Sequence, residues 1–291
     1  MDQRFPSFLF HRQKFVFRNT GASVVRFHHQ SAEIYFSKQE QKLVSLNTSP
    51  FGGFLTDRAI KKEDLYACLD EIYGWSKTQK IVTVVIRMFP DAYYPQLASL
   101  VKDVLLESQF EILYEDIAQY IPVGAEQPMD LDTHKRRRLR ASDTLGYQFR
   151  ILSAEALERC YELFVQSRIN KGYPITMSLD ALLEMFALFP DEYLLFGLFN
   201  DENVIAASVA IKVSDQILYC FYIGDDLGYR AHSPVTTLVA GIYEYCRENN
   251  FSMLDLGLST DKGIVNKGLY NFKKSFGALE SPKMTFIKNF E

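Results

Sequence analysis

Asn266-Lys267-Gly268-Leu269-Tyr270-Asn271-Phe272-Lys273-Lys274-Ser275-Phe276-Gly277 is the stretch whose reading decides the fold. Leu269, Phe272 and Phe276 recur at three- and four-residue spacing, which predicts a helix with one buried face. Tyr270 stands three and four residues ahead of Lys273 and Lys274, so all three gather near one another on the helix surface. That joins a proton donor to positive charge, the combination that group transfer from a thioester or ester needs. Just upstream, Met253-Leu254-Asp255-Leu256-Gly257 reads as a short buried strand interrupted by a carboxylate. A buried carboxylate is costly unless paired. Asp255 therefore orients an incoming amine, holds a neighbouring backbone amide, or lies on a strand with one wet side.

Outward from that block the second half of the chain reads clearly. Residues 147–152 form a strand, Ser153 opens a helix through residue 171, and Ser178 caps a second helix that ends before Pro190. Strands at 193–199 and 204–213 form a hairpin across Asn200-Asp201-Glu202-Asn203, and 216–223 continues the meander. A polar turn, 224–233, leads into a helix over 234–249. A strand at 251–256, the helix at 266–276 and a strand near 283–290 follow. The order is β-α-α-β-β-β-α-β-α-β, a mixed α/β pattern. The first half is similarly mixed. Strands are expected at 22–29, 33–36, 42–46, 81–88 and 110–123, with helices at 62–77 and 95–108. Element order alone suggests two diverged copies of one fold, without a repeat in residue identities.

Both the block and the element order resemble the last third of a GNAT-type acyltransferase, and most of all its Fem-like branch. GNAT domains often carry Asn…Leu-Tyr-x-Lys-x-Gly-Phe in their last helix. Asn266, Leu269, Tyr270, Lys273 and Phe276-Gly277 follow it with the final pair reversed. Phe272-Lys273-Lys274-Ser275-Phe276-Gly277 looks like the Fem-type version. The resemblance implies a tandem GNAT-like fold, two mixed β-sheets flanked by helices. It divides the chain into an N-terminal GNAT-like domain (1–124), a basic linker helix (125–146) and a C-terminal GNAT domain (147–291). It implies an N-acyltransferase moving an acyl or aminoacyl group to a primary amine, with acyl-CoA or aminoacyl-tRNA as co-substrate and no permanently bound cofactor. Tyr270, Lys273 and Asp255 are then the catalytic candidates. The plain alternative for the block is an amphipathic helix with lysines in water. A GNAT-shaped binding module without catalysis is also consistent.

The turn Gly224-Asp225-Asp226-Leu227-Gly228-Tyr229-Arg230-Ala231-His232-Ser233-Pro234 precedes a helix N-terminus, a natural seat for phosphate. Arg230, His232, Ser233, Lys274 and Asn266 are the donor- or phosphate-binding candidates. The alternative is that Ser233 simply caps a helix after a surface loop. GNAT enzymes that use acyl-CoA usually carry Gln/Arg-x-x-Gly-x-Gly/Ala here. This chain has the arginine and neither glycine, which weighs against acyl-CoA and toward aminoacyl-tRNA, the donor of Fem-type ligases; an acetyl-CoA-dependent N-acetyltransferase stays open as the alternative. His134-Lys135-Arg136-Arg137-Arg138-Leu139-Arg140 carries five cations in Lys135–Arg140. It is either a solvated face or a grip on tRNA phosphates. Pro50-Phe51-Gly52-Gly53 matches a Fem-type loop that lines an acceptor groove, or is a tight turn; Phe51, Gly52 and Gly53 are the acceptor-groove candidates.

Bulk properties agree with a soluble globular protein. The chain has 291 residues, 47% hydrophobic and 23% charged, enough for two cores. A net charge of −4 excludes a globally basic nucleic-acid or membrane binder, so any polyanion site must be local. Cys68, Cys160, Cys220 and Cys246 form no C-x-x-C pair and read as buried thiols, and the five histidines form no zinc motif, so no metal is expected. No stretch approaches 18 apolar residues and no secretory signal is visible, so the expected location is cytoplasmic, with no membrane span.

Overall fold

The computed structural model describes residues 8–19, 24–56, 61–124, 126 and 128–290. In chain order they form α1 (Gln13–Asn19), β1 (Val24–His29), β2 (Ala32–Gln39), β3 (Lys42–Ser45), β4 (Leu55–Thr56), α2 (Lys62–Thr78), β5 (Thr83–Arg87), α3 (Pro95–Glu107) and β6 (Glu111–Pro122). Then come α4 (Thr133–Thr144), β7 (Gln148–Leu152), α5 (Leu157–Lys171), α6 (Leu179–Leu188), β8 (Tyr193–Asn200), β9 (Asn203–Ser214), β10 (Ile217–Asp225), α7 (Pro234–Glu248) and β11 (Met253–Leu258). The chain ends with β12 (Thr260–Asp261), β13 (Ile264–Val265), α8 (Lys267–Lys274) and β14 (Leu279–Asn289). Helix α1 and the single 3-10 turn before it were not expected, because the run Phe8-Leu9-Phe10 is too short to show a period.

Two compact units result. One comprises Met1–Ala118, Leu258–Asn266 and Glu280–Glu291; the other comprises Gln119–Gly257 and Lys267–Leu279. This interleaving corrects the contiguous division at 124 and 146. The final strand does not close the second domain: β14 pairs antiparallel with β5, Phe286 facing Ile86, and both side chains are fully buried. Helix α4 is likewise part of the second unit and not a linker.

In the first unit β1, β2 and β3 form an antiparallel meander, β3 runs parallel to β5, and β5 pairs with β14. Leu65, Cys68, Leu69 and Ile72 of α2 and Leu97, Val101, Val104 and Leu105 of α3 are buried, the faces that the 3.6-residue period marks. Each such aliphatic side chain contributes about 1.5–3 kcal/mol by leaving water.

The second unit has the expected order. Its sheet runs β7, β8, β9, β10, β11, antiparallel up to β10 and parallel between β10 and β11. The end of β6 flanks β11, where Val123 N donates to Ser252 O at 2.9 Å. One core joins Phe196, Leu198, Ala206, Ala210 and Leu218 of the sheet to Leu238, Val239 and Ile242 of α7, and takes in Phe276. Helix α5 lies on β10: Phe164 stacks on Tyr222, and a side chain at Gly224 would meet Leu163 O at 2.6 Å. Ser178 caps α6 by accepting from Ala181 N, as expected, whereas Ser153 makes no side-chain cap and its helix starts with a 3-10 turn. All four cysteines are buried thiols. Among the described residues no helix is long and apolar enough to cross a membrane.

Candidate active site

β10 and β11 pair at only three positions, Ile217↔Met253, Leu218↔Leu254 and Tyr219↔Asp255. On its other side β10 stays laddered to β9 as far as Asp225↔Ala206. The two parallel strands thus part after Tyr219 and Asp255, and β10 presents an edge from Cys220 onward with no β11 partner among the described residues. Two local features accompany the parting. A bulge between Cys220 and Tyr222 shifts the β9–β10 register, and bulges bend the strand that carries them. On the other strand Gly257 adopts φ +77°. Only glycine suits that position, since a Cβ there would also press on the Tyr219 ring at 3.1 Å.

The backbone of Gly257 is held from both sides. Its N–H donates to Asp255 Oδ1 at 2.6 Å, and its carbonyl accepts from Lys273 Nζ at 2.8 Å. Asp255 and Lys273 are 3% and 5% exposed. Burial lowers the Lys273 ammonium to about 8, and the Asp255 carboxylate opposes that shift. Burial pushes the Tyr219 phenol up, as does the Asp255 charge, and pushes the Cys220 thiol up to about 12. A positive charge, a carboxylate and a neutral phenol therefore gather where the strands diverge.

Helix α8 delivers Lys273 to this point. Phe276 is fully buried, and its ring meets that of Phe272 edge-on at 5.1 Å between centroids. Gly277 ends the segment at φ +72°, and a Cβ there would sit 2.5 Å from Asp130 O. The Phe-Gly pair is thus a packing device that fixes the helix. Tyr270, one turn before Lys273, is half-buried, and its carbonyl accepts from the buried Gln119 side chain at 3.3 Å. Lys274 is exposed, its ammonium 5.7 Å from the centre of the Tyr270 ring.

The turn before α7 departs from expectation. Arg230 Nε donates to the buried Asp225 carboxylate at 3.3 Å, so part of its charge is matched. Ser233 holds φ +53° and makes no side-chain cap, a left-handed conformation that favours glycine. His232 is exposed and lines a cleft of about 320 Å³ with His134, Arg137, Arg138, Ala141 and Ala231. The basic run is sorted by helix face. Lys135 turns inward, donating to Thr236 Oγ1 at 3.0 Å and lying 4.2 Å from the centre of the Phe272 ring; burial lowers it to about 8. Arg136 donates to Leu131 O.

The structure therefore brings together Asp255 and Lys273 around Gly257, with Tyr270 one turn away. Asn266 belongs to the first unit, where its N–H donates to Ser259 O at 2.9 Å. Phe51, Gly52 and Gly53 are all buried. Phe51 is 2% exposed among Phe8, Phe10, Phe89 and Tyr93. Gly52 N donates to Arg87 O at 2.8 Å, and a Cβ at Gly52 would lie 2.6 Å from Ser45 O. Gly52 is there for a tight backbone crossing, whereas a Cβ at Gly53 would lie 3.0 Å from the Met88 sulfur. Tyr219, Cys220 and Gln119 escaped sequence reasoning, because each sits in a strand whose pattern marks only burial.

Residues 132–274 match the family model described as the acetyltransferase (GNAT) domain. This part of the chain, just under half of it, resembles a GNAT domain. The chain as a whole has the Fem-like GNAT fold: the crystal structure of FemX superposes with a TM-score of 0.74 at 14% identity, covering 99% of this chain and 94% of that one. L-PGS from Bacillus licheniformis gives 0.60 at 13%, covering 92% and 85%. A tandem GNAT protein from the clavulanic acid biosynthesis pathway gives 0.50 at 10%, covering 89% and 79%. No curated protein sequence matches this chain. The parted strands, the bulge and α8 all lie within the GNAT domain's unit.

Proposed function

We propose that this protein transfers an acyl or aminoacyl group from an activated ester or thioester to a primary amine, at the gap between β10 and β11. One observation carries the reading: the strands part after Tyr219 and Asp255, directly where the buried Lys273 ammonium is held on Gly257 O. An acyl group entering the gap meets the free backbone edge of β10, whose N–H groups polarise the carbonyl oxygen. The amine nitrogen attacks the carbonyl carbon, and a C–N bond forms as the oxygen takes negative charge. The carbon–oxygen or carbon–sulfur bond to the leaving group then breaks. Tyr270 donates its phenolic proton to that departing oxygen or sulfur and regains one shed by the amine nitrogen. Lys273 and Asp255 act as positioning residues: they fix the turn at Gly257 and place positive charge beside the developing oxyanion. Holding both reactants in one geometry supplies much of the acceleration, and no covalent intermediate on the protein is required.

The resemblance to Fem-type ligases and the absence of the two phosphate-loop glycines favour aminoacyl-tRNA over acyl-CoA as donor. Four buried thiols suit a reducing compartment, and the reading places the reaction in the cytoplasm. The test uses labelled aminoacyl-tRNA and labelled acetyl-CoA in parallel against a panel of primary amines. With the productive donor, Tyr270→Phe lowers kcat by about 10²-fold or more and leaves KM within about threefold. An unchanged kcat removes Tyr270 from the chemistry.

A further inference from the structure

We infer that the Tyr219 hydroxyl is a second hydrogen-bond donor to the carbonyl oxygen of the transferred acyl group, beside the backbone N–H groups of β10. The role rests on the acyl-transfer reading above and falls to a residue that this reading leaves idle. Tyr219 and Asp255 form the last pair before β10 and β11 part. From there the Tyr219 ring reaches across to Gly257 of β11: a Cβ at Gly257 would lie 3.1 Å from Cε2 of the ring and 3.6 Å from its hydroxyl oxygen. Gly257 is also the residue whose carbonyl accepts from the Lys273 ammonium at 2.8 Å. A phenol and a positive charge thus meet at one residue, at the point where the strands separate.

Packing on Gly257 needs only the ring, which a phenylalanine would supply. The hydroxyl itself is unused in the free protein. It makes no hydrogen bond among the described residues, and Tyr219 is half-buried rather than sealed. Other phenols of this unit are spent on the fold. Tyr222 Oη accepts from Thr176 N at 3.2 Å and from Met177 N at 3.0 Å, Tyr161 donates to Met177 O at 2.9 Å, and Tyr229 accepts from Asn200 Nδ2 at 3.3 Å. A largely buried tyrosine O–H usually finds a partner. For Tyr219 the carbonyl oxygen in the gap is that partner. Burial and the Asp255 charge both push the phenol up, so it keeps its proton at neutral pH and remains a donor. Lys273 offsets the Asp255 carboxylate, which leaves a fixed neutral donor aimed where charge develops. When the amine attacks, the carbonyl π pair moves onto oxygen, and the Tyr219 hydrogen bond to that oxygen shortens without proton transfer. The pair returns as the leaving group departs, and Tyr219 ends as it began. The proton that reaches the leaving group is still that of Tyr270.

The experiment compares wild type with Tyr219→Phe, which keeps the ring and removes only the hydroxyl. Because that hydroxyl has no partner in the free protein, the midpoint of urea unfolding should not move. With the donor that serves wild type, kcat should fall by about 10²-fold or more while KM stays within about threefold. A kcat within about twofold of wild type overturns the inference and leaves the gap reading standing. A loss of kcat that comes with a lower unfolding midpoint marks a structural role and overturns it as well. A second measurement needs no turnover and decides the matter if wild type binds a donor but acylates no amine in the panel. Acetyl-CoA and an aminoacyl-adenosine amide, each labelled with ¹³C at the carbonyl, are bound to both proteins, and the carbonyl stretch is read by infrared difference spectroscopy. A hydrogen bond from Tyr219 places the band at lower frequency in wild type than in Tyr219→Phe. The same frequency in both proteins overturns the inference. Failure of wild type to bind either probe and to transfer any acyl group removes the acyl-transfer reading and this role with it.

Discussion

Lys273 offers a quantitative test of the site. Burial lowers its ammonium from 10.5 to about 8, with Asp255 opposing the shift. Below about pH 8 the folded and unfolded chains both hold the proton, and the folded protein bears the full cost of burying the charge. Between about 8 and 10.5 the folded protein releases the proton while the unfolded chain keeps it. Stability contributed by this group therefore rises with pH across that window. At about 1.4 kcal/mol per pH unit, the gap between 10.5 and about 8 amounts to about 3 kcal/mol in full. Lys273→Met keeps the stem and removes the titration. Urea unfolding of both proteins at intervals from pH 7 to 9.5 isolates the effect by subtraction, since Lys135 and the tyrosines are common to both. The expected difference grows in favour of wild type by about 1–2 kcal/mol over that range. Parallel stability curves refute the buried-ammonium account. The same titration predicts that kcat falls as pH rises through about 8, because the transfer uses the charged form.

Two further predictions follow from single residues. Gly277→Ala forces a side chain onto Asp130 O at 2.5 Å in a left-handed conformation and should cost about 2 kcal/mol or more in a urea melt; a change under about 0.5 kcal/mol contradicts the packing role of the Phe-Gly pair. Burial lowers His11 from 6.5 to about 4, so its neutral form is the folded one, and the stability it carries above pH 6.5 is lost as pH falls toward 4. His11→Leu should flatten that acid limb of the stability curve in equilibrium unfolding, and an unaltered limb rules the residue out.

Much of the second unit was legible because its elements are long and their periods unambiguous. The hairpin of β8 and β9 and the cap at Ser178 each follow from local spacing. The final strand was assigned to the wrong unit because Lys283–Phe290 carries no mark of its partner; pairing with β5 is a long-range fact. The Phe51-Gly52-Gly53 loop shows why glycines alone do not define a groove: the same freedom serves a close crossing over Ser45. Lys135–Arg140 reads as one charge run in the sequence, but helical rotation sends Lys135 inward and Arg137 and Arg138 to the cleft. Asp255 was flagged by its cost in an apolar strand, and of the uses considered for it the structure shows one, holding the Gly257 amide.

The central claim is that the gap between β10 and β11 admits the acyl carbonyl. The most direct measurement is a crystal structure with a hydrolysis-resistant aminoacyl-adenosine amide, the 3′ end of the proposed donor. The account predicts the ligand's carbonyl oxygen within hydrogen-bond distance of a backbone N–H among residues 220–223, with the Tyr270 hydroxyl near the ribose. A ligand bound elsewhere, or a β10 edge closed by strand pairing in that complex, contradicts it.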